Sequence, residues 1–315
     1  MTTAVNSVPA GSRKAEGSRK STPVKLPKRK SSPRHKTKMS AIYAVVLVLL
    51  ALYLIPMLYI VMVSLTPTGE STASFPSRLE FGNYGQALAA APFGQFFWNS
   101  LLVTVVSSLS QIVLSCMAGY ALAKSKLRHS KTILMLLIAL LVLPPEIVMI
   151  PLFVMITHVP LLAGNDIWGM GGQGMLDSYG ALILPHMVSA LAIFLMRQFY
   201  ADLPDEIGQA ARVDGAGEFY IFARVYTPLT LPAVAVVTVL AFQSAWNDFL
   251  WPLIIVRSNG MRTLQLGLTV FYQENSTQWN LLMGIILLMS IPVALIFLFG
   301  QRYFTDGITS GSVKQ

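Results

Sequence analysis

Residues 96–123, FFWNSLLVTVVSSLSQIVLSCMAGYALA, are 28 consecutive residues without a charged side chain. A helix needs about 20 mostly apolar residues to cross the ~30 Å hydrocarbon core of a bilayer, and this stretch exceeds that length. Because lipid offers no partners to backbone N–H and C=O groups, a spanning stretch of this kind is expected to be helical. The stretch therefore predicts a transmembrane helix.

Five further stretches have the same apolar character. One of them contains Glu146, and another can extend to residue 256 across Asp248. The predicted spans are 41–65, 96–123, 132–157, 179–196, 229–247 and 275–301. The predicted fold class is therefore all-α integral membrane, with six transmembrane helices.

The overall composition agrees with a membrane protein. Hydrophobic residues make up 54% of the chain and charged residues only 12%, whereas soluble domains carry about 25% charged residues. The single cysteine, Cys116, excludes an internal disulfide and a cysteine metal cluster. The four histidines are too scattered to indicate zinc ligation, so no metal site is predicted.

Lysine and arginine indicate how the spans cross the membrane. If both termini are inside the cell, 20 of the 23 basic residues fall in cytoplasmic segments, and 11 of these lie in residues 1–40. The outer loops then hold only Arg78, Arg257 and Arg262. By the positive-inside rule, both termini are predicted to be cytoplasmic.

The two ends of the chain differ from the membrane domain, 41–304. Residues 1–40 are rich in Ser, Pro, Lys and Arg, so they are predicted to be a disordered basic cytoplasmic tail. Contact with lipid headgroups or nucleic acid is one interpretation of this tail. A topology signal is the preferred one, and no nucleic-acid partner is predicted. Residues 305–315 are small and polar and are predicted to form a cytoplasmic C-terminal tail.

The longest polar connection inside the membrane domain is 197–228, RQFYADLPDEIGQAARVDGAGEFYIFARVYTP. A short amphipathic helix is predicted from 203 to 212. Asp202 is a candidate N-cap, and the carboxylates of Asp205 and Glu206 suit the positive end of the helix dipole. In a membrane protein without a soluble domain, this segment is the expected contact with a partner.

The segment resembles the E-A-A loop of permease subunits in bacterial ATP-binding-cassette (ABC) importers. That pattern reads E-A-A, three residues, G, nine residues, I, one residue and L-P. The chain has Gln-Ala-Ala at 209–211, then Gly215, Val225, Thr227 and Pro228 at the same spacing. Its letters depart from the pattern at Gln209, Val225 and Thr227.

Other stretches are similar to the carbohydrate branch of these permeases, the maltose-type, MalG-like subunits. The resemblance runs from about residue 41 to the end, although 161–180 is longer than the family's usual second outer loop. The similar stretches are AGYALAKSKLR (118–128), PPEIVMIPLF (144–153), FLMRQFYADLP (194–204), WNDFLWPLI (246–254) and QRYFTDGITSGSVKQ (301–315).

The resemblance implies a type I importer permease fold in a multi-pass protein of the bacterial plasma membrane. It also implies that the chain forms half of a translocation pathway for a sugar or oligosaccharide and is surrounded by membrane lipid. The implied partners are a second permease subunit, two ATPase subunits and an extracellular solute-binding protein. The short C-terminal tail is implied to lie against the ATPase pair.

The chain itself is predicted to be non-catalytic and to hold no cofactor. It contains no G-x-x-x-x-G-K motif followed by Ser or Thr, so ATP and Mg²⁺ are expected on the partner ATPases. Gln209 cannot form the ion pair of the family's leading Glu, and Glu206, one turn earlier, can supply the charge. The candidate docking residues are Glu206, Gln209, Ala210, Ala211, Asp214, Gly215 and Ala216.

Four polar or aromatic residues in the predicted spans are pathway candidates. Glu146 either lines the route or satisfies backbone groups at the break made by neighbouring prolines. Asn247 and Asp248 lie beside Trp246, whose ring either stacks on sugar or anchors at the interface. In addition, the resemblance suggests that the outer loop 257–277 contacts the binding protein, with Asn259 and Gly260 at its tip.

Three other interpretations stay open at this point. The chain could serve a polyamine or glycerol-phosphate importer, which belongs to the same class of protein. It could also be a secondary carrier, or a membrane scaffold that tethers nucleic acid through its basic tail. The 197–228 loop favours the ABC importer, because neither a carrier nor a tether needs a site for an ATPase.

Overall fold

The structure, a computed structural model, describes residues 33–125, 127–272 and 277–311; in 33–38, 40, 41 and 302–311 it describes the backbone alone. Within these ranges the secondary structure is helical apart from turns and one isolated antiparallel bridge between Tyr272 and Thr277. The predicted all-α class is confirmed.

The helices vary from single turns to more than 30 residues. They are α1 Pro33–Ser64, α2 Gly82–Ala89, α3 Phe93–Lys124, α4 Ser130–Val142, α5 Pro145–Thr157, α6 Tyr179–Ile183, α7 Ala190–Ala201, α8 Asp205–Val213, α9 Glu218–Tyr220, α10 Thr227–Leu229, α11 Leu231–Trp246, α12 Leu250–Ile255, α13 Leu264–Gly267 and α14 Trp279–Gly311. A π-helical segment, Ile221–Tyr226, joins α9 to α10, and 3₁₀ turns cover Leu184–His186, Asn259–Met261 and Leu268–Phe271.

Five stretches of the described chain are long and apolar enough to cross a membrane. They are Ile42–Ser64, Phe93–Lys124, Tyr179–Ala201, Leu231–Ile255 and Trp279–Gln301. The predicted span 132–157 is instead split into α4 and α5, which meet at an angle of 105°. Pro144 and Pro145 explain the break, because a residue before proline is driven out of the helical conformation. By length and composition, the part of the chain that the structure describes thus holds five candidate spans, or six if this pair is one broken span.

Both predicted terminal boundaries differ from the structure. Helix α1 begins at Pro33, so 33–40 is helical and not the disordered end of a tail, while residues 1–32 lie outside the described part. Helix α14 continues to Gly311, so the expected tail from 305 begins inside a helix, and 312–315 also lie outside. In both cases the helix runs past the last apolar residues of the span.

The chain divides into two compact units, 1–54 and 55–315. In the first unit, the described side chains of Ile42–Leu54 are exposed. The second unit is a helical bundle in which α3 packs against α7 and α11, and α11 packs against α14.

Gly119 allows α3 and α7 to approach closely. A Cβ at this position would stand 2.7 Å from Cβ of Met196 and 2.8 Å from the backbone nitrogen of Arg197. Small residues serve the same purpose where helices cross in lipid, since packing there depends on close van der Waals contact. The contact fixes α7, and with it the start of the 197–228 loop, against the end of α3.

Candidate functional site

Helix α8 and the turn after it carry the docking residues predicted from the sequence, and only some of these are exposed. Glu206, Gln209, Ala210 and Asp214 are exposed. Ala211 is half-buried and packs, together with Ala216, against a core cluster. Of the two alanines predicted as docking residues, Ala210 thus lies on the exposed surface, whereas Ala211 belongs to the loop's own packing.

Gly215, the glycine of the loop pattern, lies just after the end of α8. Its φ is +83°, in the left-handed region that favours glycine. Its N–H donates to the carbonyl of Arg212 at 3.1 Å, and the N–H of Ala216 donates to the carbonyl of Ala211 at 2.9 Å. These two bonds form a Schellman motif, which satisfies the last carbonyls of the helix and fixes the direction of the chain after it.

Gly208, which sequence reasoning missed, allows α8 to pack closely against the bundle. It is buried, and a Cβ there would stand 2.8 Å from the hydroxyl oxygen of Tyr226. That hydroxyl accepts the Gly208 N–H at 3.2 Å and donates to the carbonyl of Pro204 at 3.2 Å. Only the distant pairing of 208 with 226 gives the glycine its role, and local spacing carries no signal of it.

One ion pair ties the loop to the end of α3, and a second lies within the loop. Lys124 Nζ lies 2.5 Å from Asp205 Oδ1 and donates to the carbonyl of Leu203 at 2.5 Å, and its side chain is 6% exposed. Arg212 and Glu218 form a forked pair with N–O distances of 2.6 and 3.2 Å. These hydrogen bonds hold the pKa values of the Asp205 and Glu218 carboxyls below their usual range.

Aromatic rings fill the space beneath the loop. The Tyr120 hydroxyl donates to Glu218 at 3.2 Å, and its ring packs against those of Tyr200, Phe222 and Tyr226 at centroid distances of 5.3 to 5.7 Å. The charged and aromatic groups together border a cleft of about 760 Å³. Because it is held on several sides, the loop is a firm projection of the bundle.

A second cavity, of about 630 Å³, lies between α3, α7 and α11. Asn247, predicted as a pathway residue, is in its wall and accepts a hydrogen bond from Gln265 at 3.3 Å. Asp248, also predicted, pairs with His186 at 3.2 Å and accepts the Trp251 N–H at 3.3 Å. Sequence reasoning missed His186, which reaches Asp248 from a distant segment and itself lines the cavity.

Trp246, for which the sequence leaves open stacking on a sugar or anchoring at the membrane interface, is buried inside the bundle. Its side chain is 1% exposed, lies parallel to the ring of Phe242 at 5.5 Å and donates to the carbonyl of Met289 at 3.1 Å. Trp251 is likewise buried and bonded to the carbonyl of Ala181. Both indoles are core residues of the bundle, because their N–H groups find internal carbonyl partners.

Glu146 lies at the break between α4 and α5. It is exposed in the first turn of α5, where a carboxylate stabilises the helix dipole, and it is not among the residues that line the cavity. Its role in a solute pathway stays a prediction.

The predicted tip at Asn259 and Gly260 lies near the beginning of α3, at the opposite end from Lys124. Asn99 Nδ2 donates to the carbonyls of Gly260 at 2.8 Å and Arg262 at 2.9 Å. Asn259 is exposed, while Gly260 is half-buried. The segment is thus a short 3₁₀ turn tied to α3 by a side chain that sequence reasoning missed, and residues 273–276 of the loop lie outside the described part.

The long segment after α5 folds on itself. Asn165 donates to the carbonyls of Thr157 and Val159, both at 2.9 Å, and accepts the Gly172 N–H at 2.8 Å. A Cβ on Gly169 would stand 2.1 Å from the carbonyl oxygen of His158. These contacts make the segment compact, with its tip lying on the end of α5.

This bundle, with a firm polar projection at one end of α3 and a polar cavity midway along it, has the features of a membrane permease. A family model described as "Binding-protein-dependent transport system inner membrane component" matches residues 111–310. The chain belongs to this family, and it is accordingly a multi-pass protein of the bacterial cell membrane and a component of a transport system. The resemblance stated from the sequence is confirmed.

Individual relatives agree with the family match. The chain is 32% identical over 290 residues to the Arabinooligosaccharides transport system permease protein AraQ of Bacillus subtilis, covering 90% of this chain and 98% of AraQ. It is 33% identical over 221 residues to the sn-glycerol-3-phosphate transport system permease protein UgpE of Yersinia enterocolitica, covering 70% and 74%.

A solved structure shows the same fold. It is a bacterial ABC transporter involved in the import of the acidic polysaccharide alginate, and the match has a TM-score of 0.69. The two chains are 24% identical, and the match covers 89% of this chain and 100% of the other. The likeness confirms the importer permease fold.

Proposed function

We propose that this chain is one of two permease subunits in an ATP-driven importer of a sugar or oligosaccharide. The observation that carries the proposal is α8, an E-A-A-type helix that is held on the bundle at Gly208 and by Lys124 and that keeps one face exposed. A rigid projection transmits the movement of a partner, whereas a flexible loop would absorb it. The similarity to AraQ supports a sugar or oligosaccharide as the transported solute.

In this proposal, one of the two ATPase subunits binds the exposed face of α8 on the cytoplasmic side. Glu206 and Gln209 stand one turn apart on that face, and the exposed apolar side chains of Val213, Phe219 and Tyr220 lie in the same segment. Glu206 supplies the carboxylate that Gln209 lacks. The continuation of α14 to Gly311 brings the C-terminal residues to the ATPases as well.

The cavity wall with Asn247 forms this chain's half of the solute route. A solute released by an extracellular binding protein enters from the end of the bundle that carries the 257–262 turn. A second permease subunit supplies the other half. Neither a secondary carrier nor a nucleic-acid scaffold would use an ATPase-binding projection, so these interpretations lose their support.

The first test concerns ATP. The chain purified alone in detergent is expected to show no ATP hydrolysis, because its sequence lacks a phosphate-binding loop. Addition of the partner permease and the ATPase pair should give hydrolysis that the solute-loaded binding protein stimulates. Hydrolysis by the isolated chain, measured as phosphate release and retained through two purification steps, would contradict the proposal.

The second test concerns the contact with the binding protein. Asn259→Arg places a bulky cation on the exposed part of the turn and leaves the Asn99 bonds to Gly260 and Arg262 in place. Binding-protein stimulation of ATP hydrolysis is expected to fall about tenfold, since hot-spot truncations or clashes cost more than 1 kcal/mol. Basal hydrolysis by the complex should stay unchanged. Equal stimulation in variant and wild type would place the contact elsewhere.

A further inference from the structure

The segment between α5 and α6, residues 158–178, presents a group of apolar side chains to its surroundings. From 159 to 176 it reads VPLLAGNDIWGMGGQGML, in which Asp166 is the one charged residue. Five large apolar side chains, which we call the apolar patch, are between 42% and 79% exposed: Leu161, Leu162, Ile167, Trp168 and Met170. Protein surfaces in water seldom carry so many apolar groups together, so the apolar patch marks a contact with a protein or a membrane.

Hydrogen bonds hold the apolar patch in one arrangement. The N–H of Leu161 donates to the carbonyl of Asp166 at 3.1 Å, and the N–H of Asp166 donates to the carbonyl of Met170 at 2.9 Å. These bonds bring 161 beside 166–170. Asp166 Oδ1 also accepts the N–H groups of Trp168 and Met170, both at 2.8 Å. Leu161 keeps a φ of +59°, a left-handed conformation that is costly for leucine, so the surrounding bonds determine it.

The backbone of the segment satisfies its own hydrogen bonds. The N–H groups of residues 165, 169, 173, 175 and 176 donate to carbonyls of the segment itself or of α5. The Gly172 N–H donates to Asn165 Oδ1, and the Asn165 side chain is buried. Solvent can satisfy a loop in water, whereas lipid offers no partner to a free backbone group. A loop whose backbone is paired in this way is suited to contact with lipid.

The apolar patch stands at the end of α5, whose own surface is apolar and exposed. This helix has 13 residues and is therefore about 20 Å long, less than the ~30 Å of a hydrocarbon core. Ile150, Val154 and Met155 are exposed along it. The segment lies directly on its end, because Gly174 is packed so closely against the carbonyl of Ile156 that a Cβ would clash. The segment thus adds apolar surface at the end of a helix that is too short to cross the membrane alone.

We propose that the apolar patch lies in the interfacial layer of the membrane, in the outer leaflet of the predicted topology, with the Trp168 ring at the level of the lipid headgroups. Tryptophan is enriched at this level, where its amphipathic ring meets both apolar chains and water. The extracellular binding protein is disfavoured as the partner, because it leaves after each delivery and the apolar patch would then face water. The inference uses the membrane location of the chain and is independent of the solute.

The test uses the complete importer in proteoliposomes, first without binding protein, with a nitroxide spin label on Trp168→Cys or Met170→Cys. Cys116→Ser removes the chain's own cysteine, and the cysteines of the partner subunits are replaced as well. Collisions of the label with oxygen and with a water-soluble nickel chelate report its surroundings, because oxygen concentrates in lipid and the chelate stays in water. The second position decides the point if the Trp168→Cys complex does not assemble.

Asn259→Cys is the matched control. Asn259 is exposed in a polar turn at the same end of the bundle as the segment, since Asp177 Oδ1 accepts the N–H groups of Arg257 and Ser258 at 2.9 and 3.0 Å. The label at 259 is expected to collide freely with the chelate. The oxygen-to-nickel collision ratios at 168 and 170 are expected to be several times higher than the ratio at 259.

High ratios at 168 and 170 that binding protein leaves unchanged support insertion into the membrane. Ratios as low as that at 259 overturn the proposal. Shielding of both labels from both reagents also overturns it, because the apolar patch would then lie against another subunit. If the labels collide with the chelate until binding protein is added and are shielded afterwards, the apolar patch contacts that protein, and the proposal is again overturned.

Discussion

Solute uptake by the assembled importer is expected to fall about a hundredfold when Ala210 is replaced by arginine. Ala210 is exposed on α8, beside Gln209. A long cation there prevents the close approach of an ATPase surface, and a clash at the centre of an interface costs about 2–4 kcal/mol. Uptake of radiolabelled solute and ATP hydrolysis by the same membranes measure the effect.

The matched control for this variant is Ala201→Arg, the same change at an exposed alanine that ends α7. It should leave uptake near wild type. A Gln209→Glu variant restores the family's leading carboxylate and should keep or raise the coupling of hydrolysis to uptake. If Ala210→Arg transports normally at normal expression, α8 is not the ATPase contact.

Replacing Gly208 with valine is expected to displace α8 from the bundle. The new Cβ would stand 2.8 Å from the hydroxyl oxygen of Tyr226 and 3.0 Å from its ring carbon Cε2, so one of the two segments must move. Overpacking of this kind costs about 1–3 kcal/mol. Uptake should fall about five- to a hundredfold, and limited proteolysis should cut the 197–228 loop faster.

Gly217→Val is the control in the same loop, because Gly217 has an ordinary φ of −73° and open space around its Cβ position. It should transport normally. Adding Tyr226→Phe to a Gly208→Ala variant removes the closest atom and should recover part of the uptake. Resistance of Gly208→Val to protease, together with full uptake, would show that the loop tolerates the displacement.

The sequence predicts the helical class and the docking segment well because both rest on local patterns. Long uncharged stretches indicate the spans, and the loop pattern singles out Gly215, whose φ is +83°. The split of 132–157 follows from neighbouring prolines. The number of spans and their direction across the membrane stay predictions.

The cavity was harder to predict because distant segments form it. Trp246 and Asp248 are two residues apart, yet one is buried in the core and the other pairs with His186. Which face of a helix meets a neighbour depends on packing, and no periodicity in an all-apolar span reveals it. Asn99 and Gly208 were missed for the same reason, since their partners lie 161 and 18 residues away.

The continuity of α3 has a consequence for how motion travels through this chain. Asn99, near the beginning of α3, donates hydrogen bonds to the 259–262 segment. Lys124, the last residue of α3, donates to the loop that contains α8. A helix of 32 residues is a rod of about 48 Å, and α3 contains no proline or break at which it could bend freely. A tilt of about 5° about its middle would swing each end by about 2 Å in opposite directions. A movement of the Asn99 contact at one end of α3 is therefore coupled to an opposite movement of the Lys124 contact at the other end.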